Sequence, residues 1–73
     1  MIVKVYTAPN CYPCTLTKRA LSLKGVVFDE IPAKGNEALL KELGATSLPF
    51  VIAGDRSWSG FMPDLLKTIN TDE

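Results

Sequence analysis

The chain has 73 residues, with eight basic side chains balanced by eight acidic ones and no histidine. That length holds a single small domain, residues 1–73, whose one core is only marginally large enough to fold alone, and the charge balance offers nucleic acid or an anionic membrane surface no net attraction. The apolar runs are short and Met1-Ile2-Val3-Lys4-Val5 lacks the length and cleavage site of a signal peptide, so the expected setting is the reducing cytoplasm.

In chain order, Ile2, Val3, Val5 and Tyr6 form a nearly continuous apolar strand suited to burial on both faces. Pro9-Asn10 turns the chain into Cys11-Tyr12-Pro13-Cys14, which holds its only two cysteines. From Tyr12 to Lys24 the apolar positions Tyr12, Leu16, Ala20 and Leu23 recur at helical spacing, with Thr17, Lys18 and Ser22 between them and Gly25 as a terminal cap. Val26, Val27, Phe28 and Ile31 predict a second strand, and Asn36 opens a helix carrying Leu39, Leu40 and Leu43 before Gly44. Phe50-Val51-Ile52-Ala53, a Gly54-Asp55 turn and Ser57-Trp58-Ser59 predict a hairpin, and a short helix with Leu65, Leu66 and Ile69 starts at Pro63. The order is βαβ then ββα. A right-handed crossover makes the first two strands parallel and the hairpin adds two antiparallel ones, giving an α/β fold with a four-stranded mixed sheet and helices on both faces.

The cysteine spacing carries chemistry. Residues three apart on a helix share a face, close enough for their sulfurs to bond without distorting the backbone. Cys11 falls where the helix begins, and there unpaired N–H groups and the positive end of the helix dipole stabilise a thiolate. Cys11 is therefore the expected attacking sulfur, and Cys14, one turn further in, the sulfur that resolves the mixed disulfide. Tyr12 and Pro13 complete the motif, and proline is tolerated in a first helical turn because its missing N–H has no partner to lose. In a reducing compartment a vicinal pair is more often catalytic or metal-binding than a structural staple. As a metal site it supplies two of the usual four ligands with no histidine or third cysteine, so zinc or an iron–sulfur cluster needs two chains sharing thiolates. An inert disulfide in a non-catalytic binding module is another alternative.

Four stretches stand out together: Val5-Tyr6-Thr7 leading to the two cysteines, Thr17-Lys18-Arg19-Ala20-Leu21, Leu48-Pro49 with Val51-Ile52-Ala53-Gly54-Asp55, and above all Trp58-Ser59-Gly60-Phe61 followed by Pro63-Asp64. On these anchors nearly the whole chain resembles the thioredoxin fold, and within it the NrdH redoxins, glutaredoxin-like hydrogen donors of ribonucleotide reductase. The resemblance implies a cis Leu48–Pro49 peptide beside the dithiol, with Ser47, Leu48 and Pro49 as contacts to the partner's chain. It further implies that Trp58, Ser59, Gly60 and Phe61 shape the docking surface, although Trp58 and Phe61 equally suit the core of a small domain. It implies a monomer with no bound cofactor beyond a redox-active Cys11–Cys14 disulfide, a ribonucleotide reductase of class Ib as target, and a thioredoxin reductase as electron source.

Departures qualify the match. Ala8 stands three residues before Cys11, where these redoxins and glutaredoxins commonly carry a cation, and Met62 stands where the family pattern usually has arginine. Tyr12-Pro13 reads like the glutaredoxin Pro-Tyr reversed, which keeps a glutathione-dependent glutaredoxin and a general protein-disulfide reductase as alternatives. Asp29 and Glu30, at the end of the second strand, are expected on solvated surface away from the dithiol.

Overall fold

A computed structural model describes residues 2–69. Strands β1 (Val3–Thr7), β2 (Phe28–Pro32), β3 (Phe50–Ala53) and β4 (Arg56–Ser59) alternate with helices α1 (Tyr12–Leu23), α2 (Glu37–Glu42) and α3 (Pro63–Leu66) as βαβ then ββα. The sheet order is β2-β1-β3-β4, with β1 parallel to β2 and antiparallel to β3, and β3 antiparallel to β4. This is the thioredoxin fold that the sequence implies. Among the described residues, no helix is long and apolar enough to cross a membrane.

Alternation along the strands splits the core in two. Val3 and Val5 of β1, with Val51, Ala53 and Trp58, meet Leu21 of α1 and Leu66 and Ile69 at the α3 end of the chain. Tyr6 and Phe50 pack on the opposite side with Ala33 and Leu40 of α2, their ring centroids 6.5 Å apart. Helices therefore cover both faces. Helix α1 ends in a Schellman motif: Gly25, at φ 76°, donates to the Ser22 carbonyl and Val26 to that of Leu21, a left-handed conformation that glycine adopts at little cost.

Three expectations need correction. Helix α1 does not bury the stripe Tyr12, Leu16, Ala20 and Leu23. It buries Cys14, Thr17 and Leu21, leaves Leu16 and Ala20 half-buried, and exposes Tyr12 at 72% and Leu23 at 82%. The steps of three and four from Cys14 through Thr17 to Leu21 make one helical face once a cysteine is treated as a small apolar group and Thr17 turns inward. The second strand begins at Phe28, because Val26 closes the Schellman turn and Val27 stands 88% exposed. Likewise α3 stops at Leu66, and the chain reaches the buried Ile69 through a turn.

Candidate active site

The site is assembled where β1 runs into α1. Asn10 takes φ 60°, a left-handed conformation that asparagine tolerates, and its turn swings Cys11 onto the helix start. Cys11 is the N-cap residue, in extended conformation, and its Sγ accepts a hydrogen bond from the Cys14 N–H at 3.3 Å. Cys14 is buried and Cys11 half-buried. A disulfide joins them across a Cα–Cα distance of 5.2 Å, so the sulfur within a partner's reach is Cys11. When the pair is reduced, a thiolate at Cys11 has the same cap donor and the helix N-terminus to hold its charge. Tyr12 and Pro13 lie exposed in the first turn between the two cysteines.

An open depression of about 840 Å³ surrounds the dithiol, lined by Thr7 to Tyr12, Cys14, Thr15, Lys18, Glu30 and Pro32. Glu30 thus corrects the expectation that it lies away from the site. The parallel register sets Val5 beside Glu30 and Thr7 beside Pro32, which carries the β2 carboxylate to the cavity wall. Thr7 Oγ1 donates to Glu30 Oε2 at 2.9 Å, and the Lys18 ammonium donates to the same oxygen at 2.8 Å. The Lys18 hydrogen bond first, and that of Thr7 second, hold the Glu30 carboxyl below the ordinary glutamate range. No local pattern signals this trio, since Thr7 and Glu30 are 23 residues apart and meet only through strand pairing. Ala8 brings no charge to the cavity, and Met62 is exposed outside its lining.

The remaining predicted residues form a second strip. The Leu48–Pro49 peptide is cis. Pro49 directly precedes Phe50, whose β1 partner is Tyr6, so this peptide stands at the sheet end from which β1 leads into the dithiol loop. Gly60 N–H donates to the Pro49 carbonyl at 2.7 Å and Ser59 Oγ accepts from Thr46 N–H at 3.0 Å, tying the two predicted contact segments together. Gly60 has φ 85°, and a β-carbon there would sit 3.6 Å from Ser47 Oγ. Ser47 is exposed, Leu48, Ser59, Gly60 and Phe61 are half-buried, and Pro49 is buried. Trp58 is separate from them: 7% exposed, it packs in the core between the sheet and α3, and Phe61 packs against that cluster from its edge. Among the described residues no group of three or more histidine, cysteine or carboxylate side chains is placed to hold a metal ion.

A half-buried sulfur at a helix N-cap, bonded to a buried one a turn later in a thioredoxin fold, defines a thiol–disulfide oxidoreductase. Comparison with known proteins narrows the class. The Glutaredoxin family model matches residues 3–58. The glutaredoxin-like protein NrdH of Salmonella typhimurium is 39% identical over 96% of this chain and 90% of its own. The solved structure of NrdH-redoxin from Escherichia coli, a glutaredoxin-like protein described with a thioredoxin-like activity profile, superposes with a TM-score of 0.93 at 37% identity, covering 100% of both chains. Glutaredoxin 3 of Escherichia coli is 41% identical over 64% of this chain and 61% of its own. The chain belongs to the glutaredoxin family, among its NrdH redoxins.

Proposed function

We propose that this redoxin is the hydrogen donor of a class Ib ribonucleotide reductase and is itself reduced from NADPH through a thioredoxin reductase. The observation that carries this reading is the reach of the NrdH resemblance: it spans 96% of the chain, against 64% for glutaredoxin 3. The thioredoxin-like activity described for the Escherichia coli relative agrees with it.

The Cys11 thiolate attacks one sulfur of the target disulfide, forming a Cys11–target bond and expelling the other target sulfur as a thiolate. Cys14 loses its proton and attacks Cys11 Sγ, the second target sulfur leaves, and the Cys11–Cys14 disulfide forms. Two electrons pass to the target, and the two protons of the dithiol end on its thiols. Ser47, Leu48 and Pro49 provide the partner's main-chain contacts, with Ser59, Gly60 and Phe61 beside them and Trp58 supporting that strip from within. The protein works as a cytoplasmic monomer, with the disulfide as its only redox group.

NADPH consumption by the oxidised protein tests this with two supplies side by side, thioredoxin reductase or glutathione with glutathione reductase, and Cys11→Ser as control. Turnover with thioredoxin reductase alone is expected. Turnover with glutathione alone overturns the reading and makes this a glutathione-dependent glutaredoxin.

A further inference from the structure

The charges around the dithiol have a consequence for substrate choice. Among the described residues, Lys18 and Glu30 are the only charged ones lining the cavity that holds Cys11. They face each other at 2.8 Å, and Thr7 Oγ1 donates to the same Glu30 oxygen. Ala8, which also lines the cavity, carries no charge. The cavity thus contains one ammonium, and that ammonium is neutralised.

We propose that Glu30 is a specificity-determining residue: by occupying Lys18 it removes the one cation that would draw a negatively charged disulfide towards Cys11. A bare Lys18 would raise the local concentration of anionic substrates and stabilise their approach. Paired with Glu30, it gives an approaching carboxylate no net attraction, and the anion must compete with a carboxylate already in place. Discrimination of this kind works by withholding an attraction from the wrong class of partner. The favoured class is a disulfide flanked by uncharged groups, which the apolar and hydroxyl-bearing remainder of the wall accepts without a charged partner. Because the side chains of Lys18 and Glu30 are 35% and 47% exposed, the pair is within reach of a ligand in the depression. The exchange step is the one given above, with the reduced protein as the two-electron donor. The inference rests on the dithiol chemistry of the class and is independent of which reductase or target the protein serves.

The test uses the full chain, reduced beforehand and freed of reductant, with three small disulfides of similar size: dithiodiglycolate (anionic), bis(2-hydroxyethyl) disulfide (neutral) and cystamine (cationic). Quenched-flow alkylation with mass readout gives the second-order rate constant for each. In Glu30→Gln, which keeps the size of the side chain, the anionic-to-neutral ratio is expected to rise by about 1.4- to fivefold, the range open to partly exposed charge pairs. The cationic-to-neutral ratio falls, and both changes shrink in high salt. Lys18→Gln, which leaves Glu30 unpaired, moves the ratios in the opposite direction. The proposal is overturned if Glu30→Gln leaves the ratios unchanged, if it multiplies all three rates equally, as a change in thiol reactivity would, or if the ratio shift survives high salt. If the thioredoxin reductase assay fails while the ratios shift as stated, only the hydrogen-donor reading falls.

Discussion

Replacing Thr17 by valine should stabilise the protein. Thr17 is fully buried on the inward face of α1, three residues after Cys14, and its Oγ1 has no hydrogen-bond partner among the described residues. A buried hydroxyl without a partner costs about 1–3 kcal/mol, and valine has the same shape with a methyl in its place. Threonine and valine have nearly equal helix propensity, so the backbone contribution cancels. The expected gain of about 2 kcal/mol is large against the roughly 4–11 kcal/mol total that a 73-residue chain would have at ordinary stability per residue. It corresponds to a rise in Tm of about 8–16 °C. Guanidinium unfolding of the oxidised protein, followed by Trp58 fluorescence, should show a higher midpoint at unchanged slope. A midpoint that stays or falls refutes the reasoning, since it means that the hydroxyl has a partner whose bond valine destroys.

Other variants follow from the same geometry. Ala8→Lys adds a cation to the dithiol cavity and should lower the Cys11 thiol pKa, read by the pH dependence of alkylation of the reduced protein; no drop counts against the helix terminus acting alone in the native chain. Gly60→Ala should cost about 1–2 kcal/mol from its φ of 85°, with little added by its ordinary contact to Ser47, so a near-zero loss in denaturant unfolding would show that the backbone there relaxes freely. Glu30 titrates lower in the folded protein than its usual value of 4.5, so its contribution is present above that pH and is lost as pH falls through the folded value. Glu30→Gln should therefore be less stable than the native chain at pH 7, by well under 1 kcal/mol for so exposed a pair, and the gap should close in strong acid.

Much of this was legible in the sequence because it is local. The dithiol motif lies at a strand-to-helix junction marked by Pro9-Asn10, and the Gly54-Asp55 hairpin and the Pro63 helix start are short-range signals that the structure repeats. The facing of α1 was not legible. Tyr12 and Leu23 supply apolar residues at helical spacing, whereas the buried face runs through a cysteine and a threonine, and only the disulfide and the sheet contact choose between the two stripes. The place of Glu30 is hidden for a related reason. Its position depends on the register of β2 against β1, which no local pattern encodes, yet that register turns a surface carboxylate into part of the cavity wall. Trp58 carries a recognisable string but its side chain lies in the core, which leaves Ser59, Gly60 and Phe61 as the half-buried part of that string.

The most direct test of the hydrogen-donor account is to trap its covalent intermediate. Reduced Cys14→Ser, mixed with an oxidised class Ib ribonucleotide reductase, can form the Cys11 mixed disulfide but cannot resolve it. A one-to-one adduct is expected, mapped to Cys11 by mass spectrometry, released by dithiothreitol and absent with Cys11→Ser. A Cys14→Ser protein that forms no adduct with the reductase under conditions where it captures a small disulfide would contradict it.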